Sequence, residues 1–544
     1  MVLSSLYAVA QESSHALPKE DCQSMRDVVG RPSEVDYQCG MALASAGESK
    51  KAVEALEAGQ RKAPQDKRFP TELAGLAFRA HNVEQAKGLL HRALRIDEHD
   101  AYANEFLATL YFLDGNLDAA LKYWNRAGKP MVQNITSDPR PQIDPALLDR
   151  AFKFAPGTVL TVQQLHETQQ RLDLLQVYPS YRFDVIARPD GRFDLLFRNT
   201  ERNGWGNSKL RKLVNLFGQL PFQTITPQAY NLRGEAINLV SLYRFNAQRR
   251  RVFSSFSAPL QGNPKWRYGL DVDLRKENWD VRYPTSLSAA ARYTTLEKAE
   301  AGAHLEAVIS PNWHWSSAVQ MADRRFLHLA TAQNSADATF ARDFLQDGTT
   351  LKYVTQLEGT PLRVPERRFV ATVTGRLELG KWWTRPAQSF TKLQGGIRAQ
   401  WMPQPRGDDY VFSTQLRAGK TLGAVPLDEL NVLGMDGDDD LWLRAHSGTY
   451  AAKKGAAPMG RDYLLFNGEW DKNVYKGGLF SIKVGPFFDT GRVSDPSAVL
   501  GSRQWLFDTG VQIKVRLFGG FGLALSYGRG LSDGTHAVHA SALR

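Results

Sequence analysis

Gly485-Pro-Phe-Phe-Asp-Thr-Gly-Arg-Val493 sets an acidic residue, Asp489, inside a segment otherwise built to bury apolar surface. Successive side chains of a strand point to opposite faces. Phe480, Ile482, Val484 and Phe488 therefore share one face, and Ser481, Lys483, Phe487 and Asp489 share the other. The pattern recurs upstream and downstream. Trp266, Tyr268, Leu270, Val272 and Leu274 alternate with Arg267, Gly269, Asp271, Asp273 and Arg275, and Val511, Ile513 and Val515 alternate with Gln512, Lys514 and Arg516. A soluble sandwich also alternates. Here the segments are about ten residues long, as a tilted spanning strand requires, and their apolar faces begin or end in Trp or Tyr. Residues 212–544 are thus expected to form a transmembrane antiparallel β-barrel of about sixteen strands.

The totals agree with a folded, multidomain chain. Its 544 residues exceed one ordinary domain, and 42% hydrophobic with 23% charged residues excludes wholesale disorder. The net charge of +11 would suit nucleic acid, but no basic run with interleaved aromatics appears. No nucleic-acid partner is expected. No apolar run approaches the length of a spanning helix. Ala8-Val9-Ala10 before Gln11 has the look of a signal-peptide remnant over residues 1–10. Of two cysteines, Cys22 and Cys39, neither has metal-spaced neighbours; their pairing is open and depends on export.

Candidate chemistry is sparse. Asp436, Asp438, Asp439 and Asp440 lack calcium-loop spacing, Ser447 standing where the terminal Glu belongs, so they read as a solvated acidic turn. His536 and His539 fall on opposite faces of a strand and cannot share a metal. There is no nucleophile–base constellation, phosphate loop or zinc spacing. The chain is expected to be no enzyme, with no catalytic residues, no metal and no cofactor.

Upstream, a 34-residue period runs over residues 33–130. Gly40, Ala74 and Ala108 align, as do Ala52, Ala86 and Ala120, then Leu56, Leu90 and Trp124, then Gly59, Ala93 and Ala127. Small residues where paired helices touch, with a large apolar residue one turn on, match three tetratricopeptide repeats. Such a stack either binds a peptide or protein or serves as a spacer, and binding is preferred. Residues 131–203 read β-α-α-β-β. Asp144 opens the first helix, Thr161-Val-Gln-Gln164 caps the second, and Pro189-Asp190-Gly191 joins the closing hairpin. This order resembles a POTRA, or polypeptide-transport-associated, domain.

One further stretch, Gly434-Met-Asp-Gly-Asp-Asp-Asp-Leu-Trp-Leu-Arg-Ala-His446, lies in an unusually long connection between expected strands. With Leu443-Arg444-Ala445-His446 there and Phe487-Phe488-Asp489-Thr490-Gly491 downstream, the chain resembles the BamA-type outer-membrane assembly and translocation superfamily, the bacterial surface antigen family. In that family a long loop folds into the barrel with a Val/Leu-Arg-Gly-Phe/Tyr tip, and a strand carries Phe-x-Asp-x-Gly. The resemblance covers residues 131–544. It implies an ion pair between Arg444 and Asp489 that locks the loop, with Leu443, Phe487 and Gly491 as motif neighbours. Ala445 and His446 depart from the family's Gly and aromatic, and His-Ala-Ser-Ala-Leu-Arg544 departs from its aromatic terminus.

The resemblance further implies a bacterial outer-membrane location with repeats and POTRA-like domain in the periplasm. Partners would be the lipid bilayer, unfolded or extended client proteins, and an accessory protein on the repeats. Two functions remain open: a factor that assembles and inserts outer-membrane proteins, and a secretion pore. A passive porin is disfavoured by the loop motif.

Overall fold

The computed structural model describes residues 31–202, 223–282, 287–404, 407–436, 438, 440–477, 480–502, 504–517 and 521–543. The signal-like residues 1–10, Cys22 and the expected barrel start at 212 lie outside them. Cys39 is buried and disulfide-bonded. By contacts the chain divides into two units. One comprises residues up to Thr136 with Phe154–Leu165 and Phe183–Leu196; the other comprises Ser137–Lys153, His166–Arg182 and Phe197 onward.

In the first unit, six helices form three pairs: α1 (Ser33–Ser45) with α2 (Ser49–Lys62), α3 (Arg68–Arg79) with α4 (Val83–Ile96), and α5 (Ala101–Leu113) with α6 (Leu117–Trp124). Ala52, Ala86 and Ala120 are fully buried where each second helix meets its neighbour, and Leu56, Leu90 and Trp124 are buried one turn later. Gly40 has no side chain because a Cβ there would stand 2.5 Å from Leu56. Asn82 and Asn116 cap α4 and α6, each accepting from a backbone N–H at 3.2 Å. A left-handed residue turns each pair, at Gly47, His81 and Gly115. Glycine marks that turn in only two copies, since His81 takes the conformation in the middle one.

The β-α-α-β-β order is present: β1 (Val132–Asp138), α7 (Pro145–Ala151), α8 (Val162–Leu175), β2 (Ser180–Ala187) and β3 (Phe193–Thr200), with sheet order β1-β3-β2. The Asp144 carboxylate accepts from Ala146 and Leu147 N–H groups at 2.8 and 3.1 Å. Thr161 and Gln164 satisfy each other's backbone at 3.1 and 3.2 Å, the reciprocal box that starts α8. The division into contact units runs through this module rather than around it.

The second unit is dominated by one large antiparallel sheet. Its strands are β4 (Thr224–Ile225), β5 (Gln228–Leu232), β6 (Ile237–Phe245), β7 (Arg249–Leu260), β8 (Asn263–Asp280), β9 (Tyr293–Ser310) and β10 (Trp313–Leu327). They continue with β11 (Gly348–Val364), β12 (Phe369–Trp383), β13 (Gln388–Trp401) and β14 (Tyr410–Gly423). The long connection holds four two-residue strands: β16 (Thr449–Tyr450) and β17 (Lys453–Lys454), which join the large sheet, and β15 (Asn431–Val432) and β18 (Met459–Gly460), which form a separate two-stranded sheet. The last five are β19 (Asp462–Lys476), β20 (Phe480–Ser494), β21 (Leu506–Leu517), β22 (Phe521–Gly530) and β23 (His536–Leu543). Neighbours in sequence pair in register from β6 to β14 and again from β19 to β23, and β14 pairs with β19 across the long connection. β4 and β5 lie end to end along β6. In strand order β23 neighbours β4.

The two faces invert the arrangement of a soluble sheet. Leu270, Val272, Leu274, Leu393, Ile397, Val511 and Ile513 are exposed, whereas Arg267, Asp273, Glu378, Lys392, Asp489 and Asp508 are buried. A sheet that leaves its apolar face open and buries its charged one is suited to a surrounding apolar solvent. Exposed aromatics stand toward both ends of the strands, Tyr243, Phe245 and Trp383 at one and Trp401, Trp470 and Tyr475 at the other, the end of the 311–312 turn. Trp401 and Trp470 stack on Phe412 at 5.3 and 4.8 Å, and Trp266 meets Trp315 at 6.4 Å. The connections 281–292, 328–347, 424–461 and 495–505 are longer and emerge at the opposite end. There α9 (Ser335–Phe344) packs Phe340 and Phe344 into a cluster with Trp279, Phe390, Leu427 and Met459.

Candidate functional site: a connection folded onto the charged face

Residues 424–461 lie along the buried, charged face of the large sheet and touch it at three stations. Nearest β14, Asp428 accepts from Arg324 Nε at 2.8 Å and lies 3.2 Å from Lys298. Its neighbour Glu429 takes Arg324 Nη2 at 2.8 Å, Lys352 at 3.0 Å and Lys392 at 2.9 Å. Two adjacent carboxylates thus serve four buried cations drawn from β9, β10, β11 and β13. β15 and β18 close the base of the loop by pairing Asn431 with Gly460 and Val432 with Met459.

The middle station corrects the expected solvated acidic turn. Asp438 is forked by Arg244 at 2.7 and 2.9 Å and reached by Arg251 at 3.1 Å. Lys454 lies 3.3 Å from Asp436, and Lys454 pairs in parallel with Trp279 of β8. Asp436 and Asp438 are nearly inaccessible, with side-chain exposures of 1% and 5%. Asp440 does extend into solvent, 85% exposed, while touching Arg417 at 3.2 Å. Asp439 lies outside the described residues. The acidic run anchors rather than solvates because inward-facing arginines of β6 and β7 arrive opposite it.

At the tip the structure brings Arg444 and Asp489 together. Arg444 Nε and Nη2 donate to the two Asp489 oxygens at 2.8 and 2.6 Å, a bidentate fork, and its own backbone N–H adds a contact at 3.2 Å. Asp489 is wholly buried and also accepts from Asn467 at 2.8 Å. The remaining guanidinium nitrogen reaches Glu469 at 2.6 Å and Gln512 at 2.9 Å, and the group stacks on Phe487, 3.8 Å from the ring centroid. Leu443 is fully buried with Leu433, Leu441, Tyr463, Leu465, Val493 and Leu506. Gly491 has Leu465 and Leu433 so near that a Cβ would stand 3.0 and 3.3 Å from them.

Asp489 has a twin. Phe488-Asp-Thr-Gly491 and Phe507-Asp-Thr-Gly510 repeat the same four residues, and the register sets Asp489 directly opposite Asp508. Facing carboxylates repel, and the tip resolves the conflict. Arg444 takes Asp489. The Ala445 N–H donates to Asp508 at 2.6 Å, and His446 contacts Asp508 at 3.1 Å through Nδ1 and Asp533 at 2.9 Å through Nε2. With both ring nitrogens on carboxylates, the geometry favours the doubly donating imidazolium for His446. Burial pulls its pKa down, but Asp508 and Asp533 outweigh that and hold it above the ordinary 6.5. Ala445 does not adopt the left-handed conformation, so no glycine is required there. Room for the tip backbone comes instead from Gly528, where a Cβ would stand 2.5 Å from the Arg444 carbonyl oxygen.

Asn467, Glu469, Asp508, Gln512 and Asp533 were not singled out by sequence. The repeated Phe-Asp-Thr-Gly is the signal for Asp508; Asn467, Glu469 and Gln512 share only the parity of the polar face. Among the described residues no cluster of His, Cys, Asp and Glu has the geometry of a metal site, and no helix is long and apolar enough to cross a membrane, which leaves strands untouched.

No family model and no curated protein matches the chain. Among solved structures it is similar to BamA from Haemophilus ducreyi lacking POTRA domains 1–3, at 13% identity over 77% of this chain and 85% of that one, with a TM-score of 0.44. It is also similar to CdiB from Escherichia coli, at 12% identity over 76% and 77% with a TM-score of 0.47. For CdiB from Acinetobacter baumannii the figures are 10% identity, 83% and 81%, and a TM-score of 0.40.

Proposed function

We propose that the chain is a bacterial outer-membrane β-barrel that handles polypeptides, with residues 424–461 as a plug locked to the barrel wall. The observation that carries this reading is the bidentate Arg444–Asp489 contact in a wholly buried setting, on a sheet whose apolar face is exposed. The loop is held by ion pairs at three stations as well as by apolar contacts of Leu427 and Leu443, and another charged or polar segment could take over those ion pairs. That exchange is what a client-handling barrel needs, and no catalytic chemistry enters it. The tetratricopeptide-like helix pairs and the POTRA-like module would face the periplasm, capture extended clients and accept an accessory protein.

Assembly and insertion of outer-membrane clients is the leading form of this function. It is supported by the place of β4 beside the C-terminal β23 in the strand order, which brings the two ends of the sheet together. A weak seam would let a client strand add at an edge. The second form, a secretion pore, is favoured by the charged wall behind the loop, which would line an aqueous path once the loop leaves. The two separate in liposomes. An insertion factor accelerates folding of a client barrel and passes little current. A pore shows a large conductance after deletion of residues 431–460 and leaves client folding unchanged. Neither effect, from protein integrated in the bilayer, would reject both forms.

A further inference from the structure

A cavity of about 740 Å³ opens over β6–β10 at the long-connection end of the large sheet. Most of its lining lies on the exposed apolar face, Asp323 and Arg325 of β10 among it, and Arg244, Arg251, Arg275 and Lys298, whose side chains serve the charged face, also border it. Tyr243, Val252 and Leu274 supply an apolar floor, and Arg250, Lys276 and Arg325 stand along its rim. The rim has an unusual pairing. Arg250 and Lys276 are directly opposite in the β7–β8 register, on the same face. Like charges directly opposite destabilise a ladder; Glu297, opposite Lys276 on its other side, offsets one of the two, while Arg250 has Phe245 on its other side.

Two carboxylates share the rim, and both are already engaged. Glu297 accepts from Lys276 at 2.6 Å, and Asp323 lies 3.9 Å from Arg325. Arg250 is exposed, and the half-exposed Lys276 ammonium keeps donors beyond the one that Glu297 takes. The other end of this face carries the stacked Trp401, Phe412 and Trp470 instead. Lys381, Lys420, Arg492 and Arg529 continue the exposed cationic level around the long-connection end.

We propose that this cavity is a lipid site, binding a phosphomonoester headgroup between Arg250 and Lys276 with acyl chain laid over Tyr243, Val252 and Leu274. The inference rests on the membrane-barrel reading, which makes the exposed apolar face lipid-facing. A dianionic monoester matches two adjacent cations and accepts charge-assisted hydrogen bonds from both. A diester carries one charge and satisfies only one of them. Cations at the edge of an apolar band could otherwise simply extend to water, but that would not account for a cavity with an apolar floor beneath two facing cations.

The test uses the full chain in zwitterionic detergent, with native mass spectrometry after addition of phosphatidic acid, a lipid whose headgroup is a phosphomonoester. The same lipid without its phosphate and phosphatidylglycerol serve as comparisons. Phosphatidic acid should bind at least about tenfold better than either, and R250Q with K276Q should remove that advantage while K472Q at the opposite end keeps it. Equal binding of the dephosphorylated lipid or of phosphatidylglycerol, or an unchanged double variant, overturns the site. Insertion into vesicles is scored separately by quenching of Trp401 and Trp470 with brominated lipid. Insertion with indifferent lipid binding sinks only this site, whereas failure to insert sinks the membrane-barrel reading and the site with it.

Discussion

Arg444 answers two carboxylates with one side chain and one turn of backbone. Its removal leaves Asp489 buried opposite Asp508 without its guanidinium partner, a loss of about 3–5 kcal/mol. Arg444→Lys should recover little, because an ammonium cannot fork Asp489 and stack on Phe487 together. In a double-mutant cycle, R444A with D489A should cost less than the sum of the singles, read by urea unfolding in detergent. Additive losses would mean that the two side chains do not work as a unit. His446 adds a pH term. Its folded pKa lies above 6.5, so its contribution is complete below about 6.5 and lost as pH rises through the raised value. Hydrogen exchange at residues 443–447, after division by the intrinsic base-catalysed rate, should therefore quicken as pH rises through the raised value and lose that step in H446Q. A step in the opposite direction would show that His446 is neutral when bound.

The loop as an element is held more firmly than one lock implies. Glu429 meets three cations and Asp438 two arginines, well away from the tip. R444A alone should thus loosen the tip yet leave the loop in place, with conductance near the parent value. R444A combined with D438N and E429Q should open it. A large current from R444A alone would make the other two stations incidental. In the helix pairs the comparable constraint is volume. Ala86 is fully buried between helices, so A86L should destabilise the repeat unit by about 1–3 kcal/mol, measured by thermal unfolding.

For the whole molecule, the inverted faces carry the strongest expectation. Trp401 and Trp470 are 43% and 48% exposed on the apolar face, whereas Trp382 is fully buried on the charged side. In vesicles, brominated lipid should quench single-tryptophan variants at 401 and 470 and spare the one at 382. Equal quenching at all three would mean that the sheet does not present its apolar face to lipid.

Much of this was legible in the chain. A period of two shows which side chains share a face, and a period of 34 aligns Ala52, Ala86 and Ala120, because both repeats are local properties of a regular backbone. The Arg444–Asp489 contact was readable from a motif that fixes two residue types in two segments. The partners of Asp438 and Glu429 were not. Arg244 lies 194 residues before Asp438, and Arg324 lies 105 before Glu429. Their meeting depends on strand register accumulated across the sheet and on the path of one loop. Local sequence therefore determined that a charged face and an acidic run exist. Only the tertiary structure decided that they neutralise each other, since burial and opposing charge at a few ångströms are set by segments far apart in the chain.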